Sequence, residues 1–297
     1  MENITASKKS DWYDKNYKKL MVIPVALVFF ALIYLIVFYI QNGDIMYKDT
    51  SLTGGTIITL SADFDLALLV ENLNSEFPDL TTRQLTELST GKTISYILES
   101  SASPDSLKSA IEKFLGKELT DENSSIEFTG PSLSQSFYKQ LMIALFISFI
   151  CMSFVVFFLF RTFVPSMAII FAALGNIILS LSLSNILGIK LSAAGIAAFL
   201  MLIGYSVDTD VLLTTRALKR KNHPLNQRLW ESFKTGSFMT TTSLVAVLSS
   251  FLFMSGLPDS FRQIFMILAM GLSFDLMNTW LTNASIIKWY CEVNNIK

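Results

Sequence analysis

The chain has two cysteines, one histidine and seven prolines among its 297 residues, and only 16% of its residues are charged. Cys151 falls in an apolar run and Cys291 lies near the C-terminus, so neither a disulfide framework nor a cysteine metal site is expected. His223 stands alone in a basic stretch, which argues against a histidine metal centre or a hydrolytic triad. A formal net charge of −1 gives no reason to expect nucleic acid or an acidic substrate as a partner. Soluble domains carry roughly 25% charged residues, so the scarcity of charge points to a membrane protein. No constellation of side chains implies an enzyme, a metal or a cofactor.

Hydrophobic residues, at 52%, are what the chain has in abundance. A transmembrane helix needs about 20 of them in sequence, and six such spans are read at 20–40, 141–160, 164–187, 191–215, 238–257 and 261–287. The first exceeds the apolar core of a signal peptide and no Ala-x-Ala site follows, so an uncleaved anchor is expected. Lys8, Lys9, Lys15, Lys18 and Lys19 precede it, and Arg216, Lys219, Arg220, Lys221, Arg228 and Lys234 follow the fourth span. The loops on the other side hold little more than Lys190 and Arg262. The positive-inside rule therefore puts both termini in the cytoplasm of a multi-pass cell-membrane protein. The expected division is a basic arm (1–19), the first span (20–40) and an extracytoplasmic segment (43–138). A five-span bundle (139–290) with a cytoplasmic basic loop (216–237) and a cytoplasmic tail (291–297) follow.

The outer segment alternates between two periodicities. Residues 55–60, 80–88, 94–98 and 125–128 read as strands, and 64–77 and 104–119 as helices. Ser103 is a natural N-cap for the second helix and Pro104 fits its first turn. The order βαββαβ is the ferredoxin-like pattern, so the fold class expected is a six-helix membrane bundle with an α+β domain between spans 1 and 2. Gly91-Lys92-Thr93 has the form of a phosphate-loop ending, but the first glycine of that motif would fall at Thr86, so nucleotide binding is set aside. Asn123-Ser124-Ser125 is a glycosylation sequon and permissive only.

Carboxylates inside the spans are the sharpest signal, since a charge at mid-bilayer costs at least about 2.5–3.5 kcal/mol. Asp208 and Asp210 lie in the fourth span, Asp208 roughly 12 Å along the helix from Arg216. Two residues apart, they look in different directions: Asp208 shares its face with Gly204, Tyr205 and Thr215, and Asp210 with Ser206 and Thr214. Span six offers Asp275, Asn278, Thr279 and Thr282 on one face; span three offers Asn176, Ser180 and Ser184; span five opens on a hydroxyl-rich run, 235–243. A bundle with spans four and six facing joins Asp208 or Asp210 to Asp275 through hydroxyls and water, with Thr209 among the supporting polar residues. Hydroxyl stripes and small residues also serve close helix packing, and that is the ordinary account of the hydroxyls taken alone. Lys234, at the start of span five, is either a counter-charge or a topological positive-inside residue.

The run Gly204-Tyr-Ser-Val-Asp-Thr-Asp-Val-Leu-Leu-Thr-Thr-Arg216 is similar to the fourth-span signature of the SecD/SecF protein-export membrane proteins of the RND superfamily. Leu52-Thr53-Gly54-Gly55-Thr56 resembles that family's Gly-Gly-Thr motif, and Gly130-Pro131-Ser132-Leu133 its Gly-Pro motif before the second span. Gly271 to Asn283 looks like the archaeal form of span six, and the single small outer domain resembles the SecF branch more than SecD. The resemblance implies an RND-type half-bundle that assists Sec-dependent export with a SecD-like partner and the SecYE channel. It also implies an exported unfolded polypeptide as substrate and the proton-motive force as energy source. Where bacterial members read Asn-Asp-Thr, this chain reads Asp208-Thr209-Asp210, and Asp208 matches the acid of the SecD wording Val-Asp-Ala-Asn. Asp208 is thus the first expected proton carrier, with Asp210 and Asp275 as the other members of the relay. The other readings are a small-molecule or lipid transporter acting as a homodimer, and a scaffold that does no transport work.

Overall fold

Among the described residues, six helices are long and apolar enough to cross a membrane, and a four-stranded sheet is inserted between the first and the second. The computed structural model describes residues 2–61, 64–86, 92–219, 223–253 and 259–296. Helix α1 (Glu2–Asn42) leads through a single turn, α2 (Thr50–Thr53), into the sheet domain. That domain runs β1 (Gly55–Ser61), α3 (Leu66–Leu73), β2 (Thr81–Thr86), β3 (Thr93–Ser100), α4 (Pro104–Leu115), β4 (Ser124–Thr129). The strand order is β2-β3-β1-β4 and every pairing is antiparallel. This is the ferredoxin-like topology expected from the order of elements.

Period-two alternation in the strands and the amphipathic faces of α3 and α4 build its core. Ile58 stands opposite Leu98 in the register of β1 and β3. Both are fully buried under Leu69 and Leu73 of α3 and Leu107 and Ile111 of α4. The helix ends are set by local chemistry. The side chain of Asp65 accepts from Ala67 N–H, so α3 starts at Leu66 and not at 64. Ser103 caps α4, and Gly116, with φ +62°, ends it at Leu115, four residues before the stretch read as helical runs out. Of the strand expected at 80–88, residues 81–86 are paired; 87–91, including Gly91 of the discounted loop motif, lie outside the described residues.

The bundle continues with α5 (Pro131–Phe160), α6 (Phe163–Ile186), α7 (Ala193–Lys219), α8 (Leu225–Phe253) and α9 (Asp259–Met277). A π-helical segment (Asn278–Asn283) then runs into α10 (Ala284–Val293). Helix α8 begins inside the segment read as a basic loop. Its first turns are anchored by Leu229, packed with Leu213 and Ala217 of α7, and by the Arg228 guanidinium, which donates to the Ala217 carbonyl at 2.8 Å. The charged residues around these anchors hid the helix from a hydropathy reading. Residues 220–222, and 254–257 of the expected fifth span, lie outside the described residues. α6, α7 and the last span form the inner layer; α1, α5 and α8 are largely exposed and turn Phe29, Phe30, Phe146, Phe154 and Phe238 outward.

Two glycine motifs meet where the sheet domain joins the bundle. Gly54 has φ +84°, and a Cβ there would lie 2.6 Å from the Pro131 Cα. Gly55 has φ +145°, and its Cβ would collide with the Ser100 carbonyl. Gly130 is the N-cap residue of α5 and Pro131 its first residue. The entry to β1 and the exit from β4 are thereby pressed together at one point.

Candidate functional site

The inner layer carries a polar network where α6, α7 and the last span touch. On α7, Ser206 and Asp210 are one turn apart; on the last span, Asp275, Thr279 and Asn283 recur every four residues, the spacing that keeps side chains on one helix face. Ser206 Oγ donates to Asp275 Oδ1 at 2.6 Å, and Asn176 Nδ2 of α6 donates to the same oxygen at 2.8 Å and to Ser206 Oγ at 2.7 Å. Asn278 Nδ2 in turn donates to Asn176 Oδ1 at 2.5 Å. Thr279 Oγ1 stands 3.5 Å from Asp275 Oδ1. Asn283 Nδ2 donates to Asp210 Oδ1 at 2.7 Å. Asp210 and Asp275 are both 0% exposed. Among the described residues, Asp210 Oδ2 and Asp275 Oδ2 receive no hydrogen bond, and no Lys or Arg pairs with either carboxylate.

The sequence-derived set therefore divides. Asp210, Asp275, Ser206, Asn278 and Thr279 come together. Thr209 and Thr214 are buried beside them, Thr209 at 3.4 Å from Thr240 of α8 and Thr214 without a side-chain partner among the described residues. Asp208, the first expected carrier, lies on the exposed face of α7 with Met201, Gly204 and Tyr205. Lys234 is exposed too, its ammonium 5.8 Å from the Trp230 ring centroid. Gly54, Gly55, Gly130 and Pro131 belong to the joint described above. Ser180 and Ser184 bond carbonyls of their own helix, so that part of the span-three stripe is packing. Asn283 was missed by sequence reasoning, although its place four residues after Thr279 signalled it; Asn176 was read as part of the stripe without its cross-link.

Relatives decide the family. The family model described as protein export membrane protein SecD/SecF, C-terminal, matches residues 110–293. A protein-export membrane protein SecF from Methanocaldococcus jannaschii is 36% identical over 283 residues, covering 93% of this chain and 96% of its own. One from Methanolacinia petrolearia is 33% identical, covering 94% and 97%, and one from Pyrococcus furiosus 32%, covering 98% and 96%. The chain belongs to the SecF family. SecF relatives are protein-export membrane proteins, and with its six apolar helices the chain is a multi-pass membrane protein. The crystal structure of SecDF, a translocon-associated membrane protein from Thermus thermophilus, superposes with a TM-score of 0.72 at 16% identity. It covers 94% of this chain, which spans only 38% of that longer one. SecDF in its super-membrane-facing form gives 0.63 at 17%. At these identities the likeness shows the fold, and the SecF-type bundle with one sheet domain is that fold.

Proposed function

We propose that the chain is a SecF subunit of the Sec translocase, working with a SecD-like partner beside the SecYE channel and drawing on the proton-motive force. In this reading the sheet domain faces the extracytoplasmic side and meets the exported chain, and both termini are cytoplasmic. The positions of Lys15, Lys18, Lys19, Arg161, Arg216 and Lys219, all at the end of the bundle away from the sheet domain, support that orientation. The observation that carries the function is the buried pair Asp210–Asp275, held by amides and hydroxyls with no cation paired to it among the described residues. In a dry site each negative charge adds to the cost of the other, so the pair gains by holding a proton. The two oxygens without donors are where that proton adds. Proton transfer between the pair and either membrane face then rearranges the Ser206–Asp275 and Asp210–Asn283 contacts, which tie α7 to the last span. One charge crossing 100 mV yields about 2.3 kcal/mol, enough to bias a two-state movement.

Asp208 takes a different part in this reading. An exposed carboxylate beside Met201 and Tyr205 is costly against lipid, and Gly204 next to it has open space where a Cβ would stand. A close partner helix suits both features, so this face is assigned to the SecD-like subunit. The test is export into vesicles carrying the complex under an imposed proton gradient. Asp210→Asn and Asp275→Asn are each expected to remove the gradient-stimulated part of export, at least about tenfold, while the complex still assembles. Gradient-stimulated export at the normal rate in both variants would leave the scaffold reading in its place.

A further inference from the structure

The turn between α6 and α7, residues 187–192, lies at the sheet-domain end of the bundle and is gripped from two sides. On one side Leu191 bridges Lys48 as a parallel strand partner. Its N–H donates to the Tyr47 carbonyl at 2.7 Å, and its carbonyl accepts from Asp49 N–H at 3.0 Å. Ala193 N–H donates to Ser51 Oγ at 3.1 Å, and that hydroxyl donates onward to Asp49 Oδ1 at 2.6 Å. Lys190 Nζ donates to Thr81 Oγ1, at the start of β2, at 2.5 Å. On the other side stands one residue of α9, Gln263. Its Oε1 accepts from Ser192 N–H at 2.8 Å and from Ser192 Oγ at 2.5 Å, and its Nε2 donates to the Lys190 carbonyl at 2.7 Å. Leu191, Leu52, Met46, Ile196 and Ile267 close the apolar floor beneath.

The position of this grip matters because of chain connectivity. α1 and α5 are covalently continuous with the sheet domain, but both belong to the exposed layer and neither carries a network carboxylate. α7 and α9 carry the carboxylates and have no covalent link to the sheet domain. They also pack against α5 and α1, and the turn adds a hydrogen-bonded link from them to the segment that enters the sheet domain. Helices transmit displacement along their length as stiff rods, and Gln263 lies roughly 18 Å from Asp275 on one such rod. A shift of α9 along α7 must therefore break the Gln263 fork or drag the turn with it. The turn in turn holds Tyr47–Asp49 by backbone pairing, and from there the path runs through α2 into β1. Thr50 Oγ1 adds a side contact to Glu99 Oε2 at 3.3 Å, and Glu99 is ion-paired with Arg83 of β2.

We propose that this turn is the coupling strap between the carboxylate network and the sheet domain, with Gln263 as the positioning residue that keys α9 and α7 to the Tyr47–Ser51 segment. The proposal rests on the proton-relay reading above and adds the route by which it reaches the export side. The strap is cut from its two ends. Gln263→Leu removes the fork on α9, and Ser51→Ala removes the acceptor for Ala193 N–H on the opposite side. Gly195→Ala disturbs the fork without touching Gln263 itself, since its Cβ would lie 2.5 Å from Gln263 Oε1.

The full complex in vesicles is measured for gradient-stimulated export and for the gradient-driven signal of a dye on Glu127→Cys, with Cys151 and Cys291 replaced by Ser. Gln263→Leu and Ser51→Ala are each expected to lower both readouts at least about fivefold, with Gly195→Ala in between. Partner recovery and the melting temperature stay close to those of the parent. Because both substitutions cut one path, the double variant is expected to be no worse than the weaker single one in export. Unchanged export and dye signal in both single variants, in preparations where Asp210→Asn abolishes them, would overturn the strap and leave the relay standing. Loss of assembly in both would also overturn it, since the turn would then be a folding element. Full activity of Asp210→Asn and Asp275→Asn is a separate result, which removes the relay and the strap with it.

Discussion

At the scale of single residues, the network separates polar groups that hold the site from polar groups that merely fill a helix surface. Asn176 donates to Asp275 and Ser206 and accepts from Asn278, so a valine there leaves several buried groups without partners. Asn176→Val is expected to cost about 1–3 kcal/mol and to lower gradient-driven export. Ser180, one turn away, bonds only the Asn176 carbonyl of its own helix. Ser180→Ala is expected to change stability by less than about 1 kcal/mol and export not at all. Comparative thermal melts with export assays separate the two. In the sheet domain, burial alone would push the Asp79 carboxyl up. Hydrogen bonds from Ser101 N–H at 2.6 Å and Ser100 Oγ at 3.1 Å outweigh that and hold it below its ordinary value. A lowered folded-state value means a stabilising contribution that is present at neutral pH and fades as pH falls through it. The melting difference between the native chain and Asp79→Asn is therefore expected at neutral pH and to shrink as the pH falls below the ordinary carboxylate range.

At the scale of elements, period and capping make most of the architecture legible in the sequence. The strand and helix order of the sheet domain followed from alternation in 55–60 and from the apolar spacing of Leu107, Ile111 and Phe114, and its antiparallel order follows from that pattern. What hid were features set by tertiary contact. The start of α8 hid behind its charges, since Leu225 and Leu229 join the core there beside the buried Arg228 and Ser232. The π-helical segment Asn278–Asn283 leaves no mark in hydropathy, yet it begins three residues after Asp275 and turns Asn278, Thr279, Thr282 and Asn283 all inward. Asp208 and Asp210 could be put on different faces from sequence; which face was inside depended on α6 and the last span packing against one of them. The helix layer of the sheet domain is a simpler case. Ile111 is fully buried against Ile58 and Leu98, and Ile111→Ala is expected to cost about 2–5 kcal/mol, read from the unfolding midpoint of the sheet domain within the full chain.

At the scale of the whole molecule, three inner helices hold the charge-bearing network and three outer ones turn apolar side chains to their surroundings. That division leaves the exposed face of α7 unexplained by the chain alone. Gly204 has nothing within 4 Å of an added Cβ, so Gly204→Leu is expected to leave the fold intact and to reduce recovery of a SecD-like partner about tenfold in mild detergent. The central claim is that Asp210 and Asp275 together hold the transferable proton while Asp208 faces the partner. Infrared difference spectra of the complex, taken as a proton gradient is imposed, report the carbonyl stretch of protonated carboxyl groups directly. The band is expected to disappear in Asp210→Asn and in Asp275→Asn and to persist in Asp208→Asn. A band that survives both inner substitutions and is lost with Asp208 would contradict the account.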